Sequence, residues 1–108
     1  GIADIQLPLQ GTEYANNIYW VYGIVINKNK GMNADEAIKM LHKKGIGCRP
    51  FFYPMHMQPV LKNLGYFKNE SYPVAENLSS QGFYIPSGLG LKKDQIKRVS
   101  EAVWEVLG

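Results

Sequence analysis

Apolar positions along the chain change period several times, and each change predicts an element. Residues 18–26, Ile-Tyr-Trp-Val-Tyr-Gly-Ile-Val-Ile, run without a charged break. β-Branched and aromatic residues that do not alternate predict a strand covered on both faces. Gly23 inside it marks a bulge or a close backbone approach. Asn27–Gly31 is a polar turn. Helical spacing follows: Ala34, Ala37, Ile38 and Leu41 fall on one face, Asn33 caps the start, and Glu36 completes a capping-box pair. Lys43 and Lys44 suit the negative end of that helix, and Gly45 stops it. Ile46–Arg49 is a short second strand.

Prolines then set the punctuation. Pro59–Leu64 is a short helix with proline in its first position and Gly65 as its stop. Pro73–Gln81 repeats the arrangement, with Val74, Ala75 and Leu78 inward and Gly82 closing. Phe83–Ile85 is a third strand ended by Pro86. Pro86–Gly90 is a Gly-rich turn without the Gly-Lys-Ser/Thr ending of a phosphate-binding loop. A final amphipathic helix covers about Lys93–Leu107, with Ile96, Val99, Val103, Val106 and Leu107 on its inner side. The order β-α-β-(short helices)-β-α predicts an α+β fold, a small two-layer domain with a mainly antiparallel short sheet and helices on one face. Residues 1–16 are weakly patterned and are expected to be a lead-in segment or linker, with the domain at 17–108.

Composition narrows the classes. At 108 residues, 45% apolar and 19% charged, the chain holds one modest core and is not a disordered sequence. The net charge of +3 comes from basic groups at Lys28–Lys30, Lys39–Lys44 and Lys92–Arg98, a spread that fits solvated turns and helix faces rather than a nucleic-acid surface. A single cysteine, Cys48, excludes an internal disulfide and a thiolate zinc cluster. Cys48 is expected to be a small buried residue, although Arg49 beside it would lower its pKa. His42, next to Lys43 and Lys44, is expected to be solvated. The two histidines have no acidic spacing that would build a metal site. No apolar run reaches the roughly 20 residues a membrane helix needs, and neither nucleic acid nor membrane is an expected partner.

The candidate chemistry lies in Arg49-Pro-Phe-Phe-Tyr-Pro-Met-His-Met-Gln-Pro59. Three prolines stiffen this stretch into an extended loop, and rigid loops present their side chains. Arg49 offers a planar fork for carboxylate or phosphate; by residue type alone it is equally a surface or ion-paired arginine. Phe51, Phe52 and Tyr53 alternate direction, so one or two enter the core and the others face out. His56 is either a satisfied structural histidine or a donor to a hydroxyl group.

The same stretch resembles the Arg-Pro-Phe-Phe-Tyr-Pro-(Met/Leu)-His signature in the C-terminal small domain of sugar aminotransferases. These are the DegT/DnrJ/EryC1/StrS family, and the pattern is most like the perosamine synthetase branch. Further landmarks follow in order: the strand Tyr19-Trp-Val-Tyr-Gly-Ile-Val, Gly45-Ile-Gly-Cys-Arg49, Tyr72-Pro-Val-Ala-Glu-Asn-Leu78 and Ile85-Pro-Ser-Gly-Leu-Gly-Leu91. Lys92 departs from the pattern, since many relatives carry Thr there, a better helix cap. The resemblance implies the small domain of a fold-type I aminotransferase. Pyridoxal phosphate and its lysine would belong to a large N-terminal domain, and no lysine of this chain stands in such a motif, so no catalytic or cofactor-binding residue is expected here. The resemblance implies Arg49, Tyr53 and His56 as substrate-binding positions at the active-site mouth. It further implies an amino acid donor such as glutamate, a nucleotide-linked 4-keto-6-deoxy sugar, a homodimer, a cytoplasmic enzyme and a place in polysaccharide biosynthesis. The alternative is a stand-alone small α+β module whose Arg/His/aromatic loop binds a ligand or a protein.

Overall fold

The computed structural model describes residues 1–108. Four short strands, β1 (Ile5–Gln6), β2 (Tyr22–Ile26), β3 (Arg49–Pro50) and β4 (Gly82–Ile85), form one antiparallel sheet in the order β1-β2-β4-β3. The expected strand over 18–26 forms only in its second half. Asn17 Oδ1 accepts the Tyr19 N–H at 2.7 Å and Tyr19 takes φ 50°, so the chain bends before it can pair. Part of the lead-in segment joins the fold, because Ile5 and Gln6 pair with Ile26 and Val25.

The register places Ile24 opposite Phe83. These two side chains and Ile26 belong to one core of 14 buried residues that includes Ala37, Leu41, Val103 and Leu107. The helical residues come from α1 (Ala34–Lys43) and α4 (Lys93–Leu107); the short α2 (Pro59–Asn63) and α3 (Pro73–Gln81) lie between them in sequence. The start of α1 is built as its sequence predicts: Asn33 Oδ1 accepts the Glu36 N–H and Glu36 Oε2 accepts the Asn33 N–H, each at 3.0 Å. In α4, Gln95 Oε1 accepts the Lys92 N–H at 2.9 Å. Lysine has no side-chain oxygen to return the bond, so only half of a capping box forms.

On the other face of the sheet, the Phe51 ring lies over two glycines. A Cβ on Gly23 would stand 2.9 Å from Phe51 Cζ, and one on Gly82 would stand 2.5 Å from both the Phe51 ring and the Leu78 carbonyl oxygen. Gly23 is therefore a close approach rather than a bulge, and Gly82 both closes the helix before it, donating its N–H to the Leu78 carbonyl, and opens β4. The strand β2 is covered on both sides, by the core below and by Phe51 above.

Three expectations fail for physical reasons. Ile46–Arg49 is mostly a turn: Ile46 N–H donates to the Leu41 carbonyl at 3.0 Å and Cys48 N–H donates to His42 Nε2 at 3.1 Å, leaving only Arg49 and Pro50 to pair. His42 is exposed, as expected, and its ring also organises that turn. In α3 (Pro73–Gln81), Val74, Ala75 and Leu78 are exposed and Gln81 is buried, its Nε2 donating to the Ile26 carbonyl at 3.0 Å. A polar anchor, not the apolar stripe, sets the rotation of α3. Ile96, expected inside α4, is also exposed.

Candidate functional site

β3 is an edge strand, and it carries Arg49 into the loop. Arg49 pairs with Tyr84 across the strands, which puts both side chains on one face of the sheet. It is the face of Gly23 and Phe51. The Phe51 and Tyr84 rings meet at a centroid distance of 4.6 Å, and Phe52 stands edge-on to Tyr84 at 6.4 Å. The result is a small aromatic shelf beside an arginine. The Arg49 guanidinium is exposed, and no ion pair or side-chain hydrogen bond holds it.

Of the three loop aromatics only Phe51 turns inward, and it covers the outer face of the sheet rather than entering the core. Phe51 is tucked against the sheet, Phe52 is 80% exposed and Tyr53 is 50% exposed. Pro54 then leads into a 3-10 turn over Met55–Met57, and Gln58 Nε2 donates back to the Tyr53 carbonyl at 3.3 Å. His56 points inward and is only 7% exposed. Its Nε2–H donates to Glu76 Oε1 at 2.8 Å, and its ring stands edge-on to Tyr72 at 4.9 Å. Arg49, Tyr53 and His56 share one rigid segment, but no hydrogen bond joins them to one another.

Glu76 is the residue that sequence reading missed. The same carboxylate oxygen that takes the His56 proton also accepts the Tyr72 N–H at 3.0 Å and the Ser71 hydroxyl at 3.4 Å. The Tyr72 amide, then the His56 ring, hold its carboxyl below the usual carboxylate range. A carboxylate oxygen only accepts, so the His56 Nε2–H is the donor, and Nδ1 makes no hydrogen bond within the chain. Tyr72 itself donates to Glu70 Oε2 at 2.7 Å, and that bond and charge raise its hydroxyl pKa. The available signal was the recurrence of glutamate in the Tyr72-Pro-Val-Ala-Glu76 landmark. Tyr84, lost in an ordinary strand pattern, gave none.

Cys48 is buried, and burial pushes its thiol up to about 11. Proximity to Arg49 does not lower it, because desolvation of the thiolate dominates. No cluster of His, Cys, Asp and Glu is suited to a metal ion. No helix is long and apolar enough to cross a membrane. The lysines and arginine of the basic patches are exposed except half-buried Lys30; within the patches Lys44 pairs with Glu105, and Lys97 Nζ lies 3.7 Å from Glu101.

Residues 1–104 match the DegT/DnrJ/EryC1/StrS aminotransferase family. The chain belongs to this family. It is 29% identical over 100 residues to the GDP-perosamine synthase of Vibrio cholerae, a match covering 90% of the chain and 27% of that protein. It is 31% identical over 91 residues to the GDP-perosamine synthase of Caulobacter vibrioides, covering 84% of the chain and 24% of that protein. The fold superimposes on the crystal structure of an aminotransferase, TlmJ from Streptoalloteichus hindustanus, with a TM-score of 0.81. Sequence identity there is 17%, over 98% of this chain and 27% of the other. The chain therefore spans about a quarter of the length of the curated relatives it matches.

Family membership raises the question of the cofactor. A lysine that forms a Schiff base with pyridoxal phosphate needs a sheltered setting that favours its neutral amine. Every lysine here is exposed except Lys30, which is half-buried, and Lys30 Nζ donates to the Ala3 carbonyl at 3.0 Å. None of these lysines has the sheltered setting that a Schiff base with the cofactor needs.

Proposed function

We propose that this chain is the C-terminal small domain of an aminotransferase that moves an amino group from an amino acid, glutamate or one like it, to the keto carbon of a nucleotide-linked 4-keto-6-deoxy sugar. In this reading pyridoxal phosphate and the catalytic lysine lie in a large N-terminal domain, and the working enzyme is a cytoplasmic homodimer. The observation that carries the reading is the family match over residues 1–104. The perosamine synthases among the relatives support the choice of substrate class.

The chain's own contribution is positioning. The unpaired Arg49 fork sits on a stiff strand end, beside aromatic faces able to lie against a nucleotide base or a sugar ring. Tyr53 presents a hydroxyl from the same loop. His56, held by Glu76, keeps the loop seated and has Nδ1 as its remaining polar atom toward a sugar hydroxyl. Pre-ordering by three prolines lowers the entropy lost on binding.

The test uses the full-length enzyme and follows the two half-reactions separately by absorbance. Arg49→Ala should weaken the sugar-nucleotide half-reaction by about ten- to a hundredfold, the worth of a charge-assisted hydrogen bond of roughly 1.5–3 kcal/mol. The half-reaction with the amino donor should be unchanged. Equal slowing of both half-reactions would give Arg49 a structural role instead.

A further inference from the structure

Two residues that the candidate site does not use, His42 and Cys48, meet just ahead of Arg49. His42 holds the turn after α1 at both of its ends. Its carbonyl accepts the Gly45 N–H at 2.9 Å, and its ring Nε2 lies 3.1 Å from the Cys48 nitrogen and 3.3 Å from the Cys48 oxygen. In either tautomer Nε2 finds a partner on Cys48: it accepts the N–H, or it donates to the carbonyl. That carbonyl belongs to the peptide bond that leads into Arg49. The strand that follows has little hold of its own. β3 is two residues long, and Pro50 has no N–H to give to the sheet. Past Pro50 the Phe51 N–H returns to the sheet at the Gly82 carbonyl, 3.2 Å away; ahead of Arg49 that task falls to His42.

We infer that His42 is a positioning residue for Arg49: it fixes the strand end that aims the guanidinium fork at the anionic part of the sugar nucleotide. The inference rests on the proposed role of Arg49 in the sugar-nucleotide half-reaction. Substrate would touch Arg49, and His42, on α1, would act only through it. The faces of the strand carry the argument. Cys48 lies in the core, while Arg49 stands exposed on the opposite face, paired with Tyr84. Side chains of an extended chain change face with each residue, so the seat of Cys48 sets the direction in which Arg49 leaves the sheet. The guanidinium has no ion pair or side-chain hydrogen bond to correct that aim. Placement matters at such a group, because a displacement of about 1 Å can cost about a hundredfold in rate. A fork loosened at one end of its strand and still held at the other should lose part of that, about tenfold.

The full-length enzyme provides the test, with the two half-reactions followed separately. His42→Leu removes both Nε2 contacts. It should lower kcat/KM for the sugar nucleotide about tenfold, mainly by raising KM, and leave the amino-donor half-reaction unchanged. His42→Gln, whose amide both donates and accepts at the reach of Nε2, should recover to within about threefold of the original enzyme. His42→Asn falls one bond short and takes the place of His42→Leu if that variant fails to fold. In an Arg49→Ala background, His42→Leu should add less than about twofold, the mark of a residue that acts through another. Asn33→Ala removes the cap at the other end of α1 and controls for lost stability; it should leave both half-reactions near their original rates. Equal slowing of both half-reactions, an equal loss in Asn33→Ala, no recovery in His42→Gln, or a full penalty retained beside Arg49→Ala would each overturn the inference. If Arg49→Ala itself leaves the sugar half-reaction unchanged, the proposed site fails and the role of His42 with it. If Arg49→Ala acts and His42→Leu does not, the role of His42 alone fails.

Discussion

The aromatic shelf at the candidate site depends on two missing side chains, and restoring one methyl at each separates ring contact from backbone contact. In Gly23→Ala the new Cβ would stand 2.9 Å from Phe51 Cζ. Comfortable carbon contacts begin near 3.5 Å, so the ring must retreat by roughly 0.6 Å. The ring is itself packed on Tyr84 at 4.6 Å, and overpacking of this kind costs about 1–3 kcal/mol. In Gly82→Ala the Cβ meets the Leu78 carbonyl oxygen at 2.5 Å as well as the ring. That carbonyl accepts the Gly82 N–H, so relief also strains the last hydrogen bond of α3. The cost should be about 3 kcal/mol or more, adding a hydrogen bond of about 1 kcal/mol to the steric term. Denaturant melts of both variants, alone and with Phe51→Ala, form a double-mutant cycle. Phe51→Ala should cancel the Gly23→Ala penalty to within about 0.5 kcal/mol, since alanine is otherwise no worse than glycine in a strand. It should leave most of the Gly82→Ala penalty. If Phe51→Ala fails to rescue Gly23→Ala, the ring does not lie over Gly23 as described; if it rescues both variants fully, the Leu78 carbonyl is not the obstacle at Gly82.

Further outcomes follow from other contacts. Glu76 has a lowered folded pKa, so its stabilising effect is complete above the ordinary carboxylate range and disappears as pH falls through that lowered value; Glu76→Gln should flatten the acid limb of a stability-versus-pH curve between about pH 2 and 6, and an unchanged limb would refute it. Gln81→Leu keeps the volume but leaves the Ile26 carbonyl without its donor, at a cost of about 1–3 kcal/mol in a denaturant melt. Cys48, with its thiol near 11 instead of 9.0, should react with a thiol reagent at neutral pH about a hundredfold more slowly than an ordinary thiol, scaling with thiolate fraction; rapid labelling of the native protein would contradict its burial.

Local signals were readable where local physics decides. The capping box at Asn33 and Glu36, the prolines that open the helices at 59 and 73, and the left-handed glycines at 45 and 65 all act within a few residues. The rotation of α3 was not readable, because Gln81 answers to Ile26, 55 positions away. Val74 and Leu78 form a convincing inner stripe only while that anchor is unknown. Ile96 misled for a related reason: helical spacing puts it beside Val99 and Val103, but no neighbouring element covers it and it stays exposed. At the candidate site the split between a turned-in and an exposed aromatic was legible, but the inward turn of His56 was set by Glu76, 20 positions on.

With His56 and Ser71 both gripped by one oxygen of Glu76, the chain between them is a lobe whose neck is tied shut. Its tip already tolerates left-handed backbone at Phe67 and Asn69. Lengthening a closed lobe adds little closure entropy, about 0.6 kcal/mol per doubling. Evolution can therefore reshape or extend this lobe without disturbing the stem that carries Arg49, so diversity among relatives can accumulate there while the loop beneath keeps its shape.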